Sequence, residues 1–159
     1  MKYPFLLLVS LFLSTTLVAQ GINEEKTSLT NFLKRMYNST PFEGVKVIED
    51  YDHQYLVSVL SLDKAKYPSP SILNRVAQVT AQRNANTYLN GSTISSDLVI
   101  KTTEQKVGNK TNTVVESIES IKENAMGFTQ GLELLTNFDD EQSKRMVFIY
   151  SREIQKTIK

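Results

Sequence analysis

The pattern of hydrophobic and polar positions predicts two long helices in the first half of the chain. The first covers about residues 24–37, and its apolar side chains share one helix face: Leu29, Phe32, Leu33 and Met36. The second follows Ser69, with Pro70 as its first residue, and ends at about Gly91. Its apolar residues occur at every fourth position, share one helix face and are mostly alanines: Leu73, Ala77, Ala81, Ala85 and Leu89. Small side chains let a helix approach its neighbour closely, so we expect this helix to pack on a sheet.

Alternating apolar and polar residues predict strands in much of the remaining chain. We expect a hairpin with arms at 44–48 and 55–62, joined by a polar turn over 49–54. Three further strands are expected at 93–104, 128–138 and 145–153, with Leu132 and Leu134 on one face of the second of these. A third helix is expected over 113–125 and should end at Gly127. Since the last strand is apolar on both faces over Met146–Tyr150, it should lie inside the sheet.

The resulting order of elements is α-β-β-α-β-α-β-β, which predicts the α+β class. We expect a single antiparallel sheet of about five strands, with two to three helices packed mainly on one face. The length of the chain after residue 20 suits one domain, so we expect residues 21–159 to form a single α+β domain with an N-terminal helix at about 24–37.

The first 20 residues have the pattern of a cleaved bacterial signal peptide. Lys2 supplies a positive start, residues 5–18 are uncharged and mostly apolar, and small or polar residues follow at Ala19, Gln20 and Gly21. The apolar run is shorter than the roughly 20 residues needed to span a bilayer. We therefore expect export to the periplasm, the outer surface or the medium, with cleavage after Ala19 or Gln20. We expect neither a lipid anchor, because cysteine is absent, nor a transmembrane segment after cleavage.

Composition narrows the classes of function. The chain has 18 basic and 17 acidic residues and no basic cluster, so we expect no nucleic-acid partner. The absence of cysteine rules out disulfides, thiol catalysis and cysteine-bound zinc. An exported domain of this kind must be stabilised by packing alone.

The turn around His53, the single histidine, is the candidate site with most chemistry in the sequence. Asp50, Asp52 and His53 follow Glu49, and carboxylate oxygens could hold a hard cation there. The run lacks the spacing and the glycine of a calcium loop, and a lone histidine in a polar turn is more often a solvated surface residue. Asp50, Asp52 and His53 are therefore weak metal candidates, and we assign no metal site.

Other groups in the sequence give no catalytic constellation. Asp139, Asp140 and Glu141 fit a charged hairpin turn better than opposed carboxylates across a cleft. A serine nucleophile would need a positioned base, and neither a G-x-S-x-G motif nor a second histidine is present. We assign no catalytic or cofactor-binding residues and expect no cofactor.

From the second helix onward, the chain resembles a family of small bacterial envelope domains, the Lpp-twenty-type lipoproteins and their outer-membrane and flagellar-associated relatives. The resemblance covers about residues 55–153. It is carried by Ala77, Ala81, Ala85, Leu89, Gly91, Ile94, Ser95, Gly131, Leu132, Glu133 and the strand Met146–Tyr150. It implies an α+β domain with a binding or assembly role at the envelope. The chain departs from those lipoproteins because it lacks the lipid-bearing cysteine.

Three hypotheses for function remain open. The first is an exported, non-enzymatic module that contacts another envelope protein or a second copy of itself. The second is a domain that binds a small ligand or a metal ion, at the turn around His53 or in a pocket between helix and sheet. The third, which has least support, is a hydrolase of envelope polymer.

Overall fold

A computed structural model of the chain describes residues 16–50, 53–91, 99–101, 124–140 and 143–154. The chain divides into two units, Met1–Thr40 and Pro41–Lys159. Helix α1, Thr16–Ser39, belongs to the first unit. It confirms the predicted first helix but begins eight residues earlier than the expected residue 24. Within the described part of the chain, no helix combines the length and apolar character needed to cross a membrane.

The second unit contains a mixed, mostly antiparallel sheet. Its strands in the described residues are β1, Gly44–Asp50; β2, His53–Asp63; β3, Val99–Lys101; β4, Glu133–Asp140; and β5, Arg145–Glu153. Their spatial order is β3-β1-β2-β5-β4. The pairs β1–β2, β2–β5 and β4–β5 are antiparallel, whereas β3 lies parallel to β1. The α+β class is therefore confirmed, and the parallel β3 corrects the expectation of a purely antiparallel sheet.

The β1–β2 hairpin is tighter than the sequence predicts. Asp50 pairs with His53, so only residues 51 and 52 lie between the strands. Glu49 and Gln54 face each other in the ladder and are buried. The polar composition of 49–54 predicted a six-residue turn. Polar residues can nevertheless belong to the ends of two strands, because strand pairing depends on hydrogen bonds between backbone groups.

Helix α2, Pro70–Gly91, has the limits that the sequence predicts. The hydroxyl of Ser69 accepts a hydrogen bond from the Ile72 amide at 3.3 Å, which satisfies one of the free N–H groups at the helix start. All five residues of the predicted apolar face are buried: Leu73, Ala77, Ala81, Ala85 and Leu89. They form one core cluster with sheet residues that include Val47, Leu56, Leu60, Phe148 and Tyr150.

The segment before β4 differs from the prediction. The expected third helix, 113–125, and most of the expected strand 93–104 lie outside the described residues. A short helix α3, Ala125–Gln130, continues through Gly127, where a helix stop was expected. Phe128 is therefore helical, and β4 begins at Glu133 instead. The Asn124 side chain accepts from the Gly127 amide at 3.2 Å and caps the helix, so this glycine lies in the first turn.

The two leucines expected on one face of β4 have different environments. Leu132 is buried and precedes the strand, whereas Leu134 is 45% exposed. The alternation rule does not apply across this pair, because Leu132 belongs to the connection from α3. A register shift between Leu134 and Thr136 further disrupts the alternation.

Strand β5 pairs with two other strands and also contacts helix α3. It lies between β2 and β4, and Val147–Tyr150 are buried, which confirms the predicted internal position. The Arg152 guanidinium donates to the carbonyl oxygens of Gly127, at 3.2 Å, and Phe128. It also lies 4.4 Å from the centre of the Phe128 ring. Arg152 thus fixes α3 against the sheet, close beside Gly131, where a Cβ would collide with the guanidinium.

Candidate functional site

The turn around His53 is the site that the sequence suggested first. Asp52 lies outside the described residues, and Asp50 is directly opposite His53 in the β1–β2 ladder. The imidazole Nδ1 of His53 is 2.8 Å from a carboxylate oxygen of Glu153, on the neighbouring strand β5. Its ring also stacks against Tyr55, with centroids 6.2 Å apart. These contacts give His53 an ordinary surface role.

The positions of the possible metal ligands agree with a surface role for His53. Across the described ranges, no three side chains of His, Cys, Asp or Glu are grouped so that they could hold an ion. Glu153, the partner of His53, is half exposed, as is His53 itself. The geometry therefore does not support the weak metal candidates Asp50 and His53, and it does not describe Asp52.

A cleft of about 470 Å³ lies at the end of β2 and the start of β5. It is lined by Leu62, Asp63, Lys66, Tyr67, Ser143, Lys144 and Arg145. Its lining has three basic side chains, Lys66, Lys144 and Arg145, against one carboxylate, Asp63. The Arg145 guanidinium donates to the Ser61 carbonyl and lies 3.8 Å from Glu43. Asp63 itself caps the following 3₁₀ turn, Lys64–Lys66. The described lining is therefore basic, and it contains no buried hydroxyl without a hydrogen-bond partner.

A second cleft, of about 450 Å³, lies between the start of β1 and the second half of α2. We refer to it as the helix–strand cleft. Its lining residues are Gly44, Val45, Thr80, Arg83, Asn84, Thr87 and Tyr88. It corresponds to the predicted alternative of a pocket between helix and sheet, although the sequence did not identify its residues. Its volume is within the range of small-molecule sites.

The helical wall of this cleft is a polar stripe beside the alanine face of α2. We define the polar stripe as Thr80, Arg83, Asn84, Thr87 and Tyr88. These positions follow i, i+3, i+4, i+7 and i+8, so they share one helix face. The alanine face fixes the rotation of α2 on the sheet, and the polar stripe is thereby placed over the start of β1. This spacing is visible in the sequence, but only the position of α2 shows that it lines a cleft.

Tyr88 is the residue in the cleft whose environment is least ordinary. Its hydroxyl oxygen is buried and has no hydrogen-bond partner. Burial raises the pKa of the Tyr88 hydroxyl above its usual 10.0, so the phenol stays neutral and able to donate at physiological pH. A buried polar group without a partner costs about 1–3 kcal/mol, and such groups are normally satisfied by a ligand or by ordered water.

A second hydroxyl without a partner lies one strand further into the sheet. Ser58 is directly opposite Val45 in the ladder, and Val45 lines the cleft. Ser58 lies two residues from both Leu56 and Leu60, which pack against α2 in the core cluster. Side chains two residues apart on a strand share one face, so Ser58 also points toward α2. It is fully buried, and its Oγ has no hydrogen-bond partner. Two uncompensated hydroxyls therefore occur under the second half of α2.

Arg83 gives the cleft its charge. It is exposed, and none of the described lining residues is acidic. The neighbouring Glu43 is engaged elsewhere, with Ser61 and Arg145. The helix–strand cleft thus combines one guanidinium with hydroxyl and amide groups.

Tyr88→Phe is expected to stabilise the protein by about 1 kcal/mol, because it removes a buried hydroxyl that makes no hydrogen bond. The matched control is Tyr150→Phe: the Tyr150 hydroxyl donates to the Asn74 carbonyl at 3.4 Å, so its removal should give no gain. Urea unfolding monitored by circular dichroism measures both. A loss of stability in Tyr88→Phe equal to that in Tyr150→Phe would contradict the assignment.

The same tyrosines make a prediction about alkaline pH. Burial raises the folded-state pKa of both Tyr88 and Tyr150 above the unfolded value. Below about pH 10 both states hold the proton, and above it the unfolded state releases the proton first, so stability should fall as pH rises past 10. This fall should be shallower in Tyr88→Phe, and an identical slope in wild type and variant would rule out a contribution from Tyr88.

Membership of the Lpp-twenty-type family stays a prediction. Comparisons with protein-family models, with curated proteins and with solved structures give no match to this chain.

Proposed function

We propose that this chain is an exported, non-enzymatic binding domain that takes a small polar ligand into the helix–strand cleft. The observation that carries the proposal is the Tyr88 hydroxyl, which is buried and unpartnered at a cleft lined by other polar groups. If the Tyr88 ring turns toward the cleft on binding, a ligand acceptor atom satisfies this hydroxyl and recovers the cost of burying it.

The cleft has the properties of a preformed site. One wall is α2, which is held on the sheet by five buried side chains over five turns of helix. The other is the start of β1, where Gly44 has a φ of 120° and thus a conformation that favours glycine. A Cβ at this position would meet no atom within 4 Å, so the space beside Gly44 is open. Rigid walls keep the ordering cost of binding low.

The hypothesis of a protein-contact module has less support from the geometry. Within the described residues, the exposed large apolar side chains are Ile72, Val79, Met126 and Leu134. They are distributed over α2, α3 and β4, and single exposed apolar residues are ordinary on protein surfaces. The small-ligand hypothesis therefore has the stronger structural argument, and assembly at the envelope stays a prediction from the sequence.

The binding proposal is tested by amide chemical shifts of the ¹⁵N-labelled protein titrated with D-glucose and with D-glucuronate. We expect shifts confined to Gly44–Val45 and residues 80–88, at millimolar affinity. Tyr88→Phe should weaken binding, because the ligand loses a buried donor, whereas Tyr150→Phe should bind like the wild type. Shifts that are absent from the cleft, or that are unchanged in Tyr88→Phe, would overturn the proposal.

Export is tested on the protein made with its first 20 residues in a Gram-negative host. Mass spectrometry of the product in the periplasm or medium should give an N-terminus at Gln20 or Gly21. Leu8→Arg interrupts the apolar run and should leave the precursor in the cytoplasm, because a charged residue prevents recognition of the signal. An intact N-terminus on cytoplasmic wild-type protein would contradict export.

A further inference from the structure

We infer that the ligand of the helix–strand cleft is a polyhydroxylated anion, such as a sugar acid or a sugar phosphate. This inference rests on the proposed binding function and specifies its ligand class. It is carried by the position of Arg83 within the polar stripe, between hydroxyl-bearing residues on both sides.

The charge of the ligand follows from Arg83. Its guanidinium is a planar fork of donors that matches a carboxylate or a phosphate in two-point contact. No carboxylate of the described residues pairs with it, and the described lining contains no acidic side chain that would compete. The cleft therefore favours an anionic group and disfavours a cationic ligand.

The hydroxyl content follows from the neighbours of Arg83. Thr80 lies three residues before it and Thr87 four residues after it, so one hydroxyl stands about a turn away on each side. Asn84 adds an amide, and all three side chains can both donate and accept hydrogen bonds. Groups with this dual capacity match hydroxyls on a ligand, which likewise donate and accept.

Tyr88 and Val45 complete the argument. The Tyr88 hydroxyl is buried beneath the cleft, so it can donate to a ligand acceptor, such as a ring or hydroxyl oxygen, once the Tyr88 ring turns toward the cleft. Val45 is the one aliphatic side chain of the described lining, and the other lining side chains of α2 all carry polar groups. A compact polar anion is the class that uses all of these groups.

The test compares five probes by ¹⁵N amide titration of the purified protein: D-glucuronate, glucose 6-phosphate, D-glucose, acetate and inorganic phosphate. We expect the two sugar anions to bind about tenfold more tightly than D-glucose, and also more tightly than acetate or phosphate. The two sugar anions separate a sugar acid from a sugar phosphate as the preferred form. Raising the salt concentration should weaken the sugar anions more than D-glucose, because part of their affinity is electrostatic.

Arg83→Gln supplies the decisive variant, with Arg75→Gln as its matched control. Arg75 is an exposed arginine of α2 that does not line the cleft. Arg83→Gln should weaken the binding of D-glucuronate by about tenfold, to near the affinity for D-glucose, because the ligand loses its charge-assisted hydrogen bonds. Arg75→Gln should leave all affinities unchanged, which excludes a general effect of removing charge from the helix.

The outcomes separate this inference from the proposed function. Equal binding of D-glucose and D-glucuronate at the cleft would overturn the requirement for a negative charge and leave the binding function standing. If acetate or phosphate binds as tightly as the sugar anions, the ligand hydroxyl groups do not contribute to the affinity, and the inference of a polyhydroxylated ligand is overturned. If none of the five probes shifts the amides of residues 80–88, both the inference and the proposed function fail.

Discussion

Replacing Phe148 with alanine is expected to destabilise the protein by about 3–5 kcal/mol. Phe148 is the largest of the fully buried side chains, and it belongs to the core cluster beneath α2. It lies opposite Leu60 on β2 and Asn137 on β4, so its ring is enclosed from both neighbouring strands. The free energy of unfolding falls for two reasons: less apolar surface is buried, and a cavity is left between the sheet and α2. It would consume much of the 5–15 kcal/mol typical of a folded domain.

Urea unfolding gives the free energy, and two further variants keep the result interpretable. Phe148→Leu leaves most of the volume filled and should lose about 1–2 kcal/mol, which remains measurable if the alanine variant does not fold. Met126→Ala changes an exposed side chain on α3 and should stay within about 0.5 kcal/mol of wild type. A Phe148→Leu variant as stable as wild type would show that Phe148 is not tightly packed.

The elements that sequence patterns predicted well are those in which local preference and burial agree. Helix α2 has a serine cap, a proline at its first position and an apolar repeat of four residues, and it begins at the predicted Pro70 and ends at Gly91, close to where its end was expected. Strand β5 is apolar over Met146–Tyr150 and was correctly placed inside the sheet. In both cases every local signal favoured the same structure.

The predictions were less accurate where a distant contact decides the structure. Gly127 was expected to end a helix, but the Asn124 cap and the Arg152 guanidinium of β5 hold residues 125–130 in a helical turn. That contact joins residues about 25 positions apart, and no local pattern indicates it. Likewise, the parallel pairing of β3 with β1 depends on a connection of many residues and is not visible in either strand alone.

The candidate site was missed for a related physical reason. His53 was chosen for its chemistry, whereas the structure gives it Glu153 and Tyr55 as neighbours. The polar stripe of α2 consists of ordinary residues, and its spacing is that of any solvated helix face. It becomes a cleft because β1 begins beside it, which is tertiary information.

Ala81→Leu is expected to destabilise the protein by about 1–3 kcal/mol. Ala81 is the middle residue of the alanine face and is fully buried against the sheet. Alanine and leucine have similar helix propensities, so the cost arises from the three added carbon atoms, for which the close packing of α2 leaves no room. Gln78→Leu, at an exposed position of the same helix, is the control and should change stability by less than about 0.5 kcal/mol.

The same substitution connects the alanine face to the proposed site. Thr80 and Asn84 are within three residues of Ala81, so a shift of α2 away from the sheet would carry the polar stripe away from β1 and widen the cleft. We therefore expect Ala81→Leu to weaken binding of D-glucuronate even under conditions in which the variant is fully folded, whereas Gln78→Leu should bind normally. Unchanged affinity in a folded but destabilised Ala81→Leu would mean that the cleft does not depend on the close approach of α2 to the sheet. The alanine face would then be a determinant of stability alone, and the small side chains at 77, 81 and 85 would have no part in setting the width of the cleft.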